Sequence, residues 1–114
     1  MSRGPGEDAE ACAAAFLEAK GLKIIARNYR CRFGEIDLIA RNGATIVFVE
    51  VRARTSQAYG GAAESITPAK RKRLLAAARH YLARQGTHCA CRFDVVLMSG
   101  SPQQIEWIAN AFGE

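Results

Sequence analysis

The chain has 114 residues, of which 49% are apolar and 24% are charged. This composition is typical of a single soluble globular domain, and the length excludes a multidomain enzyme because so short a chain buries only one core. The formal net charge of +5 favours a polyanionic partner. No stretch reaches the ~18 consecutive apolar residues of a membrane-spanning helix, and the first residues lack a signal-peptide core, so we expect a cytoplasmic protein without a membrane partner.

Seven elements are predicted along the chain. Residues 1–6 are expected to form a disordered lead-in, and residues 7–114 a single domain. Apolar residues at three- and four-residue spacing predict a first helix over 7–20. Thr67 and Pro68 form an N-cap and first-turn pair that opens a second helix to about Gln85. Five strands are expected, over residues 22–29, 35–40, 45–51, 92–98 and 104–109. The order α-β-β-β-α-β-β predicts an α/β fold with a mixed central sheet flanked by helices.

The strongest hairpin signal joins the second and third strands. Asn42 and Gly43 form an Asn-Gly pair that favours a type I′ turn. If these two are the central turn residues, Glu35 faces Glu50 across the hairpin, and Asp37 shares their face because side chains alternate along a strand. The sequence therefore predicts three carboxylates converging on one face of the sheet.

Such a convergence suggests a metal site. Carboxylates facing one another repel, and a divalent cation relieves that repulsion. Mg²⁺ or Mn²⁺ prefers oxygen ligands, so we predict a site with Asp37, Glu50 and Glu35 as ligands. Arg52, two residues beyond Glu50 on the same face, could stabilise charge that develops on a phosphate.

A purely structural interpretation fits the same residues. Glu35 could be solvated at the start of its strand, Asp37 could pair with an arginine, and Glu50 with Arg52 could form a simple ion pair. Glu10, at the border of the first helix's apolar stripe, is a further candidate for the site. It could equally be a favourable acid in the first helical turn.

The cations are segregated into two segments. Five lie in residues 20–32, the first basic segment, and six in residues 70–84, the second basic segment, and neither segment contains an acid. Solvated surfaces can look like this, but such segments also suit phosphate contacts. The predicted nucleic-acid contacts are Arg27, Arg30, Arg54, Lys70, Arg71 and Arg73.

Several segments resemble a known family. Residues 34–39 (Gly-Glu-Ile-Asp-Leu-Ile), 48–52 (Phe-Val-Glu-Val-Arg) and 92–96 (Arg-Phe-Asp-Val-Val) look like the YraN-like family of bacterial proteins. That family is placed in the restriction-endonuclease-like superfamily, whose PD-(D/E)xK signature Asp37 and Glu50 match, with Arg52 at the lysine position. The separation of the two acids is also similar to that of archaeal Holliday-junction resolvases, which carry a first-helix glutamate matched by Glu10.

The resemblance implies a Mg²⁺-dependent phosphodiesterase that acts on DNA or RNA, including branched DNA, as a homodimer. Asp37 and Glu50 would hold the metal, Glu10 would assist, and Arg52 would complete the catalytic set. Arginine stays protonated at any relevant pH, so Arg52 could position groups or stabilise charge but could not take up a proton. The alternative is a non-catalytic module that keeps the fold to bind nucleic acid or a protein. A scaffold without a nucleic-acid role is opposed by the two basic segments.

Overall fold

Two helices and five strands make up the part of the chain described by the structure, a computed structural model that covers residues 5–53, 66–86, 89–99 and 104–112. The elements are α1 (Pro5–Ala19), β1 (Lys23–Cys31), β2 (Gly34–Asn42), β3 (Thr45–Ala53), α2 (Pro68–Gln85), β4 (Cys91–Ser99) and β5 (Gln104–Phe112). Their order confirms the predicted α-β-β-β-α-β-β arrangement. Neither of these helices is long and apolar enough to cross a membrane.

The first helix begins earlier than predicted. Pro5 and Gly6 belong to α1, whereas the sequence pattern assigned them to a disordered lead-in. Proline is well tolerated in a first turn, because the backbone N–H it lacks would have no partner there. The rest of the predicted lead-in lies outside the described residues.

The five strands form one mixed sheet in the order β1-β2-β3-β4-β5. Strands β3 and β4 are parallel, and every other neighbouring pair is antiparallel. Parallel neighbours need a long crossover connection, and α2 lies within that connection. The mixed sheet and its flanking helices match the predicted class of architecture.

Each face of the sheet is covered by one helix. Leu74, Ala77 and Tyr81 of α2 pack in a buried cluster with Phe48 and Phe93. On the opposite face, the core residues are Ala13, Ala14 and Leu17 of α1 with Leu38, Ala40, Val47, Val49, Val96 and Met98 of the sheet. Burying both faces explains why β3 and β4 are nearly continuous apolar runs.

The turn between β2 and β3 lies one residue later than predicted. Asn42 pairs with Thr45, so the two turn residues are Gly43 and Ala44. Gly43 has φ +62°, as type II′ turns favour at their first central position. The predicted type I′ turn centred on Asn42 and Gly43 is therefore wrong, because positive φ is needed only at Gly43, where glycine adopts it without steric cost.

This shift changes which residues face each other in the hairpin. Leu38 pairs with Val49, two positions away from the predicted partner. Glu35 is consequently not opposite Glu50, and that prediction is wrong. A shift of two residues by itself does not move a side chain to the other face, because the strand period is two. Continued by one residue, the observed register brings Asp37 level with Glu50.

Candidate active site

Asp37 lies where the regular pairing of β2 with β3 ends. Ile36 and Ile39 both pack on the α2 side of the sheet, whereas Leu38 packs on the α1 side. Strict alternation would put Ile36 with Leu38, so the strand is irregular at Asp37. Beyond the last paired residues, the backbone N–H of Val51 donates a 2.9 Å hydrogen bond to Asp37 Oδ2. The carboxylate thus occupies the place of a backbone acceptor at the end of the ladder.

Glu10 of α1 lies next to Asp37. Partial burial raises the pKa of Glu10, and the charge of Asp37 and a hydrogen bond between the two carboxyls raise it further. A hydrogen bond from the Asn28 side chain acts in the opposite direction. Asn28 has φ +52°, which distorts β1 and is tolerated by asparagine better than by most residues. The structure therefore brings Glu10 to the carboxylate pair, as the resemblance implied.

Glu50 completes the carboxylate group from β3. Its side chain is only 5% exposed. Burial, and next the charge of neighbouring Asp37, raises the pKa of Glu50 from 4.5 to about 7. A hydrogen bond and charge attraction from Lys70 oppose the rise. This carboxyl therefore takes up a proton much more readily than an exposed glutamate does.

Among the described residues, the cation nearest to Glu50 is Lys70 of α2. Its Nζ lies 3.0 Å from Glu50 Oε2, whereas Arg52 Nη1 lies 3.8 Å from the same oxygen. The sequence pattern predicted Lys70 as a phosphate contact and Arg52 as the partner of Glu50. The ion pair with Arg52 is thus present, but Lys70 is closer. Lys70 belongs to α2 and Arg52 to β3, so an ion pair between two residues of the same strand does not by itself describe the site.

Lys70 reaches the site because of how α2 begins. The N-cap is Thr67, whose Oγ1 accepts a 3.1 Å hydrogen bond from the backbone N–H of Lys70.

Replacing Thr67 by alanine removes that acceptor, and we expect the free energy of unfolding to fall by about 1 kcal/mol. Urea unfolding checks this. Thr67→Ser keeps the hydroxyl and should unfold like the wild type; equal losses in both variants would show that the cap does not stabilise α2.

Glu35, the third predicted metal ligand, lies apart from the pair formed by Asp37 and Glu50. Its Oε2 forms a 3.2 Å ion pair with Arg30 Nε, and its side chain is 54% exposed. The described residues include no group of three or more His, Cys, Asp or Glu side chains placed to hold a metal ion. The structure therefore does not bring Glu35 together with Asp37 and Glu50, because the strand is irregular at Asp37 and strict alternation is broken there.

The predicted nucleic-acid contacts divide into separate groups. Arg27, Arg30 and Arg73 are exposed, as a phosphate contact requires. Arg71 turns to the other side of α2, where its Cζ lies 5.6 Å from the centre of the Phe112 ring. Arg54 lies outside the described residues. A helical turn spreads consecutive residues around its axis, so the run 70–73 could not form one surface.

Sequence reasoning missed two features of the site. Asn28 was not singled out, although asparagine is depleted in strands and enriched at positive φ, which is a usable signal. The pairing of Lys70 with Glu50 left no such signal, since the two residues are far apart in sequence and four consecutive cations are equivalent by composition. Only the rotation of α2 on the sheet selects Lys70 among them.

Comparisons with known proteins agree with one another. Residues 9–98 match the model of the family described as "Uncharacterised protein family UPF0102". A UPF0102 protein of Nitrosomonas europaea is 60% identical over 110 residues, covering 96% of this chain and 93% of the relative. A UPF0102 protein of Methylobacillus flagellatus is 56% identical over 108 residues, covering 94% and 95%. The chain therefore belongs to the UPF0102 family, which confirms the YraN-like membership expected from its motifs.

Proposed function

We propose that this protein is a nucleic-acid-binding protein of restriction-endonuclease-like fold that acts as a Mg²⁺-dependent, structure-selective endonuclease on DNA or RNA. The observation that carries the proposal is the buried Glu50 carboxylate, 3.0 Å from Lys70 Nζ and beside Asp37. It unites two acids and a lysine of the kind that the PD-(D/E)xK signature requires. The similarity to archaeal resolvases supports a branched substrate and a homodimer, which analytical ultracentrifugation would test.

The site is costly for folding, and the cost supports a functional role. Asp37 and Glu50 are like charges, and burial of Glu50 adds a desolvation penalty. An apolar residue at position 50 would avoid both costs. Strongly perturbed carboxyls that cluster with a specific charged partner are typical of active sites, although ion-pair networks also produce them.

The residues present fit a hard divalent cation. Asp37 and Glu50 supply two neighbouring carboxylates, and Mg²⁺ commonly uses one or two, with waters and substrate phosphate as its other ligands. The raised pKa of Glu50 marks a place where added positive charge is favourable. When bound, the ion would polarise the scissile phosphate and activate water. Glu10, hydrogen-bonded to Asp37, would hold that carboxylate in position.

Lys70 can take the role of the signature lysine, whose position is occupied by Arg52 in this chain. In the signature, a lysine two residues after the glutamate can orient or deprotonate the water. Arg52 stands there in this chain, but Lys70 supplies an ammonium group to the same carboxylate from α2. Its remaining N–H donors can hold a water molecule or a phosphate oxygen while Glu50 fixes its position. Hydrolysis forms a bond from water oxygen to phosphorus, breaks the ester P–O bond and leaves a proton on the departing oxygen.

A cleavage assay tests the proposal. Purified protein is incubated with labelled four-way junction, flap, duplex and single-stranded substrates, in Mg²⁺, Mn²⁺ or EDTA. We expect metal-dependent cleavage that Asp37→Asn lowers by about a hundredfold or more, because it removes a charged ligand. Lys70→Ala should lose more activity than Arg52→Ala. Glu35→Gln is the matched control, since this exposed acid pairs with Arg30 outside the site.

Three results would contradict the proposal in different ways. Cleavage that survives Asp37→Asn would mark a contaminating nuclease or another mechanism. No cleavage of any substrate, together with salt-sensitive binding, would favour the non-catalytic binding module. Absence of both cleavage and binding would contradict a nucleic-acid role altogether.

A further inference from the structure

An exposed aromatic ring occupies the tip of the β1–β2 hairpin. Cys31 pairs with Gly34, which leaves Arg32 and Phe33 as the two turn residues. Phe33 is 37% exposed and is the single large hydrophobic residue that the described part of the chain leaves exposed. More than a third of Phe33 stays exposed, so burial alone does not account for an aromatic residue at this turn.

The Phe33 ring is held in place by its neighbours. The His80 ring of α2 meets it at 63° with centroids 5.9 Å apart, and Arg32 Cζ lies 4.9 Å from its centroid. His80 is itself fixed by a hydrogen bond between its Nδ1 and the Tyr29 hydroxyl. The exposed ring is therefore held in one orientation, and the Arg32 guanidinium group lies over it.

The hairpin tip lies close to α2 at Gly34. A Cβ added at Gly34 would lie 3.5 Å from the Cβ of Arg73, and Gly34 has φ +146°, which other residues rarely adopt. This close approach joins the end of the first basic segment to the second basic segment. The Arg73 side of the second basic segment thus lies next to the end of the first basic segment, where Arg30 is paired with Glu35.

The same side of α2 connects this tip to the carboxylate site. Lys70, Arg73 and His80 follow one another at spacings of three and seven residues, which places them along one side of a helix. Ten residues of helix from Lys70 to His80 span about 15 Å. Lys70 contacts Glu50 at one end of this line, and His80 contacts Phe33 at the other.

We propose that Phe33 is a stacking platform for an unpaired nucleobase of the bound nucleic acid. The strand would run along the Lys70 to His80 side of α2, with its phosphates near Arg73 and one base on the Phe33 ring. This proposal rests on the proposed function and names its substrate class as nucleic acid with a single-stranded segment about 15 Å from the cleaved bond. Every base has a π-face, so the platform tolerates any sequence and selects for unstacked bases.

Binding measured in EDTA tests the platform independently of cleavage. Fluorescence anisotropy compares labelled DNA and RNA single strands, blunt duplexes and a single strand containing abasic sites. We expect Phe33→Ala to weaken single-strand binding about tenfold and duplex binding less than twofold. Phe33→Leu keeps apolar volume without a π-face and should behave like the alanine variant. Phe33→Trp should retain affinity. Single strands should quench the indole emission of this variant more than they quench the emission of Trp107 in the wild type.

The outcomes separate this proposal from the one on which it rests. If Phe33→Leu binds single strands as tightly as the wild type, or if abasic sites weaken the wild type and Phe33→Ala equally, the platform is overturned while the proposed function stands. Equal losses for single strands and duplexes would also overturn it, because they indicate a general effect. If wild-type protein binds none of the probes in low salt, both proposals fail. Arg73→Ala should lower the salt dependence of binding by about one phosphate contact.

Discussion

Replacing Glu50 by glutamine is expected to stabilise the metal-free protein near pH 8, by an amount that approaches about 3 kcal/mol, and to leave its stability near pH 4 almost unchanged. Burial and the charge of Asp37 raise the pKa of Glu50 to about 7 in the folded protein. In the unfolded chain this carboxyl titrates at its ordinary value of 4.5. Glutamine resembles the protonated acid in shape and does not ionise.

The sign of the pH dependence follows from proton binding. Between pH 4.5 and about 7 the folded state holds the Glu50 proton and the unfolded chain releases it. The free energy of unfolding contributed by this group therefore falls as pH rises through this window, and it levels off above it. The glutamine variant lacks this fall, so its advantage over wild type should grow with pH. Urea unfolding in EDTA at several pH values measures the difference.

Glu35→Gln is the matched control for this experiment. Glu35 is an exposed acid in a surface ion pair, and such pairs contribute about 0–1 kcal/mol. Its substitution should shift stability slightly and by a nearly constant amount above pH 5. If Glu50→Gln also gave a constant difference, Glu50 would titrate normally, and the argument that its site favours added positive charge would fail.

The same variant links the pH effect to metal binding. A cation that binds the folded state stabilises it by mass action, so Mg²⁺ or Mn²⁺ should raise the melting temperature of the wild type near pH 8. The rise should be smaller near pH 5, because protons compete for the carboxylates. Glu50→Gln should abolish most of it. A wild-type melt insensitive to both ions would contradict a metal site at Asp37 and Glu50.

The sequence predicted the faces of the hairpin better than its register. Asn42 and Gly43 both tolerate positive φ, so composition does not decide which of them begins the turn. The error moved each pairing by two residues, which preserves the side-chain faces and therefore kept Asp37 and Glu50 together. Glu35 was assigned to the same group because the sequence contains no sign of the irregularity at Asp37, which depends on how the strands pack.

Long-range contacts were the least predictable part of the site. The cap at Thr67 correctly predicted where α2 begins, because capping is decided by neighbouring residues. The helix also ends at Gln85 as predicted, and Gly86 caps it. Which cation of the second basic segment reaches Glu50 depends on the rotation of α2 about its axis. Packing of Leu74 and Ala77 against the sheet sets that rotation. The sequence shows which residues of α2 form its apolar stripe, but it does not show which strand residues that stripe contacts.

Asp94→Ala should lower the free energy of unfolding by about 3–5 kcal/mol. Asp94 is completely buried in β4. It accepts hydrogen bonds from Arg92 Nε at 3.0 Å, Trp107 Nε1 at 2.8 Å and the backbone N–H of Asn110 at 2.9 Å. The last of these satisfies β5 where its pairing with β4 shifts register and Asn110 has φ +53°. Removing the carboxylate leaves these donors and the half-buried charge of Arg92 without their acceptor.

A graded variant separates this network from simple cavity formation. Trp107→Phe removes one donor but keeps an aromatic ring against Phe16 of α1, whose ring centroid lies 6.3 Å away. We expect it to cost about 1 kcal/mol, the usual net value of one hydrogen bond. Urea unfolding of both variants measures the two losses. If Asp94→Ala cost no more than Trp107→Phe, the carboxylate would not anchor β5. If Asp94→Ala shows the whole expected loss, Asp94 also holds Trp107 against α1. That helix is the one that brings Glu10 to the carboxylate site.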